Sequence, residues 1–170
     1  MRHVEKQANL FSREKRANAY RRITYTYRVS LVRDRRVKFS SKPVSTPGIG
    51  AEVIRNTIKS AGQSDRENLV VIMLSSKNEI TGTNIVSQGS LTGSLATMRE
   101  IFKPAIIASA AAIVMGHNHP SGNCDPSNDD RVITQKTREA GELLGIRLLD
   151  HIIVGQNEQY YSFCDNGLIS

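Results

Sequence analysis

The six residues Leu69-Val70-Val71-Ile72-Met73-Leu74 constrain the fold of this chain more than any other segment. They form an unbroken apolar run, with charged residues before it and Ser75-Ser76-Lys77-Asn78 after it. That is the pattern of a central strand buried on both faces. A second buried strand is predicted over Ala110 to Met115, and Ile80 to Val86 is expected to return beside the first. Helices alternate with these strands. Ser45-Thr46-Pro47 supplies an N-cap and a proline at the first helical position, and Ala51, Ile54, Ile58 and Ala61 follow at helical spacing up to Gly62. Thr97 with Glu100 forms a capping box that opens a helix through Ile101, Phe102 and Ile106, in which Pro104 predicts a kink or a break. Ser127 opens a further helix with Ile133, Thr137, Ala140 and Leu144 on one face, stopping near Gly145, and Ile146 to Val154 is the last predicted strand. The fold class is therefore α/β in a mixed α+β form, with helices packed on a sheet joined by both hairpins and helices.

Upstream the character of the chain changes. Ile23, Tyr25, Tyr27, Val29 and Leu31 alternate with polar residues, Arg33-Asp34-Arg35-Arg36 reads as a turn, and Val37 and Phe39 follow, so a hairpin is expected. Before it lies a charged stretch with few apolar residues. The chain divides on this reading into a basic tail over 1–22, a β-hairpin extension over 23–43 and a main domain over 44–170. The net charge of +7 is unevenly spread, since residues 1–42 carry a net +10 and residues 43–170 a net −3. A cationic arm on a mildly acidic body is either a solvated tail or a contact for nucleic acid through counterion release. Binding of the second kind falls steeply with salt and disappears when residues 1–22 are removed. The two cysteines, Cys124 and Cys164, are no disulfide framework, and no stretch is apolar enough for a signal peptide or a membrane span, so a cytoplasmic protein is expected. A second copy of the chain remains a further partner compatible with the sequence.

Chemistry concentrates after the Ala110–Met115 strand, in His117-Asn118-His119-Pro120-Ser121-Gly122. Two histidines one residue apart at a strand end project to the same side, close enough to bind one metal ion. Asp130 begins the next helix, where a carboxylate can point back to the strand end as a third ligand. Two imidazoles and a carboxylate with an open fourth position are the donor set of a catalytic zinc. Ser127 and Asp130 also fit the S-x-x-D pattern of an N-cap, which needs no metal. It is the spacing His117-x-His119-x₇-Ser127-x₂-Asp130 as a whole that favours the metal.

That spacing resembles the JAMM signature of the MPN, or JAB, metalloprotease fold, which is cytidine-deaminase-like, and most resembles its RadC-type branch. The residues carrying the branch resemblance are His117 to Gly122, Pro126-Ser127, Asp130, Leu148 to Ile153, Tyr161-Ser162-Phe163 and Gly167-Leu168. The likeness runs from about Thr46 to the C-terminus. It implies a zinc ion held by His117, His119 and Asp130, with an upstream glutamate acting on water. Glu67, just before the first central strand, stands at the position resembling the family's acid, whereas Glu52, Glu79 and Glu100 lie on a helix, in a turn and at a cap. The resemblance also gives Ser127 the role of donor to the oxyanion, and the implied reaction is hydrolysis of amide or isopeptide bonds in a peptide or protein substrate. Asn118, Ser121 and Asp150 are candidates for orienting the ligands by hydrogen bonds. His151 reads as a structural or supporting histidine rather than a ligand, and Cys124 as a small loop residue.

Other metal motifs do not match. HNH nucleases disperse their three residues over a ββα unit, zincins need H-E-x-x-H, and zinc deaminases need H-x-E with P-C-x-x-C. Longer RadC-type proteins carry a helix-hairpin-helix DNA-binding region, and Pro47-Gly48-Ile49-Gly50 resembles its glycine hairpin, but no first helix precedes it. A DNA-associated accessory role through the basic segment is the alternative to hydrolysis.

Overall fold

A computed structural model describes residues 24–40, 43–89 and 96–169. The apolar run is strand β1 (Asn68–Leu74), buried at every residue. It lies second in a five-stranded sheet of order β2-β1-β3-β4-β5. The neighbouring strands are β2 (Ile80–Gln88), β3 (Ala112–Asn118), β4 (Arg147–Val154) and β5 (Tyr160–Ser162). β1 is antiparallel to both β2 and β3, β3 is parallel to β4, and β5 returns antiparallel to β4. The sheet is mixed, as expected for the fold class.

Alternation explains why β1 has no polar face. Val70, Ile72 and Leu74 pack with Ala112, Val114, Ile152 and Val154 under helix α1 (Pro47–Ala61). Leu69, Val71 and Met73 pack on the opposite face with Ile113, Met115 and Ile153, where helices α2 (Met98–Ile107) and α3 (Asn128–Leu144) contribute Ile101, Phe102 and Ile133. A helix layer on each side makes both side-chain sets of a central strand apolar.

The predicted helix termini occur with small shifts. Thr46 stands at the N-cap of α1 with Pro47 inside the first turn, though its side chain makes no capping bond. Residue Ala61, placed on the buried face by its spacing, is exposed, and Val53 and Thr57 are buried instead. The Thr97–Glu100 capping box is present, and α2 continues through Pro104, so the expected break does not occur. A proline removes one backbone donor there, while buried Ile101, Phe102 and Ala105 hold the helix to the core. In α3 the buried face is Asp130, Ile133, Thr134, Thr137 and Gly141, whereas Leu144 is exposed; Gly145 ends the helix with φ 68°.

The expected hairpin is not formed. Residues 24–39 contain no strand, and Tyr25, Tyr27, Val29 and Leu31 are exposed. Part of this segment bonds to α1 rather than to another strand: Asn56 Nδ2 donates to the Lys38 carbonyl at 2.8 Å, and Arg35 Nη1 donates to the Ser60 carbonyl at 3.2 Å. An alternating pattern offers a face, but a strand forms only where another backbone edge completes its ladder. The predicted basic tail, residues 1–22, and Ile23 lie outside the described residues. Among the described residues no helix is long and apolar enough to cross a membrane.

Candidate metal centre

The antiparallel pairing of β1 with β3 sets Leu69 opposite His117. The start of β1 therefore meets the end of β3, which brings Glu67 beside two histidines fifty residues later in the chain. Asn118 fastens this junction. Its Oδ1 accepts from Asn68 N at 2.9 Å and from Asn68 Nδ2 at 3.0 Å, and its Nδ2 donates to the Arg66 carbonyl at 2.8 Å. Both neighbours of Glu67 are thereby tied to β3. Gly116 permits the close packing beneath, because a Cβ there would lie 2.2 Å from Ile54 Cδ1 and 2.6 Å from the Ile152 carbonyl oxygen.

His117 and His119 project to one side of the sheet, as the strand alternation requires, and their Nε2 atoms are 2.9 Å apart. Glu67 Oε1 lies 3.8 Å from His117 Nε2 and 3.9 Å from His119 Nε2. Asp130 reaches the same pair from the start of α3, with Oδ1 3.2 Å from His117 Nε2 and Oδ2 3.7 Å from His119 Nε2. Glu67, His117 and His119 each offer one ligand atom within 4.8 Å of the others, so these three could hold a metal ion. His117 and Asp130 form the buried floor, and the side chains of Glu67 and His119, 18% and 17% exposed, form its open side.

The metal and N-cap patterns coincide in Ser127 and Asp130. Ser127 caps α3 by accepting from Asp130 N at 3.1 Å, while Asp130 Oδ2 accepts from Ser127 N at 2.8 Å and from its hydroxyl at 2.6 Å. The capping box commits Oδ2 and turns Oδ1 to His117. The loop from β3 positions His119 in a comparable way: Gly122, with φ 82°, completes a turn, and His119 Nδ1 donates to the Asn123 carbonyl at 2.7 Å.

Two expected supporting residues are found elsewhere. Ser121 accepts from Asn123 N at 3.4 Å and holds the turn. Asp150 pairs in register with Val114, on the α1 face, and accepts from Ser162 Oγ at 2.7 Å and Cys164 N at 2.9 Å. It anchors the segment after β4 and does not orient the histidines, because β4 alternation turns its neighbour His151 to the metal-site face instead. Burial pushes the Asp150 carboxyl up, against those two hydrogen bonds. His151 Nε2 lies 2.9 Å from His117 Nδ1, and its Nδ1 lies 2.6 Å from Thr134 Oγ1. The sequence reading placed His151 in a supporting role but missed Thr134, although a threonine four residues after Asp130 shares its helix face. Cys124 packs beside the core, its thiol pushed up by burial, and is not part of the cluster. A broad groove between residues 31–39 and the outer edge of β2 is likewise remote from the histidines.

Charge distribution within the cluster follows burial. Desolvation lowers His117 to about 4, opposed by Asp130 and reinforced by His119. His151 is lowered well below the ordinary histidine value, again chiefly by burial. For His119 the Asp130 carboxylate raises proton affinity, outweighing partial burial, with the Asn123 carbonyl and Glu67 adding to it. Burial opposes ionisation of Asp130, but His119, His117 and the Ser127 bonds outweigh it and hold the carboxyl well below its usual range. At neutral pH the ionised Asp130 carboxylate lies beside the uncharged imidazole of His117, which is backed by the uncharged imidazole of His151.

The sequence model of the RadC-like JAB domain matches residues 45–168. The chain belongs to this family. Similar proteins include the "UPF0758 protein" of Rubrobacter xylanophilus, 50% identical over 105 residues, covering 62% of this chain and 45% of the relative. That of Syntrophotalea carbinolica is 47% identical over 104 residues, covering 61% and 45%. A Methanosarcina acetivorans protein of the same name is 43% identical over 107 residues, covering 63% and 46%. The chain thus spans less than half the length of these relatives, and their name states no activity. Within this RadC-like JAB domain, Glu67, His117 and His119 are the residues whose ligand atoms could hold a metal ion.

Proposed function

We propose that this chain is a zinc-dependent hydrolase of amide bonds, with a peptide or isopeptide substrate, in which His117, His119 and Asp130 hold the metal and Glu67 moves the proton. The observation carrying this reading is the pair of Nε2 atoms at 2.9 Å, each histidine having its Nδ1 engaged elsewhere, by His151 and by the Asn123 carbonyl. Nitrogen atoms facing each other with Asp130 and Glu67 alongside form a site that a cation completes. Two imidazoles and a carboxylate fit zinc, and the side chains leave an open side for substrate. Zinc bound there supplies Lewis acidity, bringing the pKa of water towards neutrality and polarising a carbonyl.

Glu67 then accepts a proton from the attacking water and returns it to the leaving amine, a role suited to its position at the open side and to the Asn118 bonds that hold its backbone. Against its burial, Asp130 stays ionised through His119, His117 and the Ser127 bonds, and the capping box keeps Oδ1 directed at His117. Ser127 serves the oxyanion by turning its hydroxyl away from Asp130 Oδ2, which retains the bond from Ser127 N. His119 remains fixed by Asn123.

The purified chain is expected to carry about one zinc per molecule, lost in His117→Ala and Asp130→Ala. Metal analysis finding none, and no uptake on addition of zinc, refutes the site. For the reaction, cells producing wild type or Glu67→Gln are compared for protein termini and lysine adducts. Differences identify peptide or isopeptide cleavage, and identical profiles refute hydrolysis by this chain.

A further inference from the structure

His117 Nδ1, His151 and Thr134 form a buried hydrogen-bond chain ending on the backbone of Asp130. Thr134 Oγ1 lies 2.5 Å from the Asp130 carbonyl oxygen and 2.6 Å from His151 Nδ1. A carbonyl oxygen only accepts, and a threonine hydroxyl has one hydrogen. That hydrogen is therefore used on Asp130, so Thr134 must accept from His151, which places a proton on His151 Nδ1. A neutral His151 then has a bare Nε2. Since His151 Nε2 is 2.9 Å from His117 Nδ1, it accepts the proton of His117 Nδ1. The second nitrogen of His117 is left bare and faces His119 Nε2 and Asp130 Oδ1.

We infer that His151 and Thr134 are positioning residues that fix the tautomer of His117, so that Nε2 is the nitrogen presented to the metal. The inference rests on the metal-site reading above for its purpose, but the tautomers themselves do not depend on it. His151 is fully buried and its ring stacks on Phe163 at 4.7 Å with 17° between the planes, which fixes its plane as well as its protonation. It cannot bind the metal itself while Nε2 accepts from His117. The chain closes on itself, because the residue whose carbonyl ends it also places its carboxylate 3.2 Å from His117 Nε2. One helix turn, Asp130 to Thr134, thus sets both a ligand and the orientation of another ligand, and α3 is held in register with β3 and β4 at that point. An imidazole ligand whose other nitrogen is held by a fixed partner presents its lone pair without reorganisation.

Thr134 is absent from the set of residues that the spacing of the motif selects, and His151 lies on a different strand from the ligands. Their substitution is expected to act on metal affinity without removing any ligand atom. Thr134→Val preserves shape but provides no acceptor, so His151 is free to take either tautomer, whereas Thr134→Ser retains the hydroxyl. His151→Gln retains an acceptor for His117 through its amide oxygen and a donor for Thr134 through its amide nitrogen. His151→Leu retains neither.

The test uses the metal-free chain with ¹⁵N-labelled histidine and long-range ¹H–¹⁵N correlation spectra, followed by zinc titration against a competing chelator. Wild type is expected to show His117 and His151 both as Nδ1–H tautomers. Zinc affinity is expected to fall roughly ten- to a hundred-fold in Thr134→Val and His151→Leu, with Thr134→Ser and His151→Gln closer to wild type. A wild-type His151 or His117 in the Nε2–H form overturns the inference, as does zinc binding by Thr134→Val within about two-fold of wild type against that ten-fold loss. The spectrum of wild type stands even if a variant fails to fold. Correct tautomers in a chain that takes up no zinc support the relay while refuting the metal reading; zinc uptake with reversed tautomers refutes the relay alone.

Discussion

Acidifying the metal-free chain tests how deeply His117 is embedded. Its imidazole is fully buried, and desolvation lowers its pKa to about 4, against an ordinary value of 6.5. In the unfolded chain the ring takes up a proton near 6.5, and in the folded chain only near 4. Between those values the unfolded state binds more protons, so stability falls as pH falls through that window and levels off below it. At about 1.4 kcal/mol per pH unit the gap corresponds to about 3 kcal/mol, a large part of the stability of an ordinary domain. His119 acts in the opposite sense: its raised pKa adds stability below its unfolded value and loses it as pH rises. Asp130, held low, adds stability above its unfolded value that is lost only at more acidic pH than this window. His151, also held low by burial, loses stability in the same sense in both proteins, so comparison with His117→Gln reads out the His117 share of the loss. Urea unfolding in chelator at about pH 7 and about pH 4.5 is expected to show wild type losing about 2 to 3 kcal/mol more than the variant. Equal losses in the two proteins would refute the reasoning that buried His117 resists protonation.

Other outcomes follow from neighbouring contacts. Asn118→Ala removes three hydrogen bonds that tie residues 66 and 68 to β3, and is expected to leave zinc stoichiometry at wild-type level while lowering hydrolysis about ten-fold, measured on the same preparation. Unchanged turnover would show that Glu67 needs no such support. Gly116→Ala introduces a Cβ against Ile54 and the Ile152 carbonyl and is expected to destabilise the fold by about 1–3 kcal/mol in urea titration; a neutral effect would mean that β3 and α1 separate freely. Ser127→Ala removes the α3 cap, with an expected loss of about 1 kcal/mol and weaker zinc binding, since Asp130 Oδ2 keeps only the backbone bond. Zinc affinity equal to wild type in a destabilised Ser127→Ala would separate capping from metal binding.

Much of this architecture was legible before the structure because its signals are local. The runs at Leu69–Leu74 and Ala110–Met115 each announce a strand covered on both sides, and Thr97–Glu100 and Ser127–Asp130 satisfy backbone groups within one turn. Contacts between distant segments were less legible. The alternation of Tyr25 to Leu31 resembles a half-buried strand, but no ladder forms, and the side chains are exposed. β5 is three residues long, too short for a periodic pattern, and exists because β4 offers it an edge. Asp150 and His151 are adjacent in sequence and both buried, so composition cannot tell which faces the histidine pair. Registration with Val114 and Met115 decides it.

The segment His117 to Gly122, with Ser127 and Asp130, determined by itself that two imidazoles leave a strand end on one side and that a carboxylate waits at the next helix start. Strand alternation and the first helical turn dictate this within a few residues. Only the tertiary structure brought Glu67 within 3.8 Å of His117, because it required β1 to run antiparallel beside β3. Only packing of α3 against β4 joined Thr134 to His151 and through it to His117. Local geometry is written in spacing, whereas these meetings depend on which backbone edges pair and which faces pack.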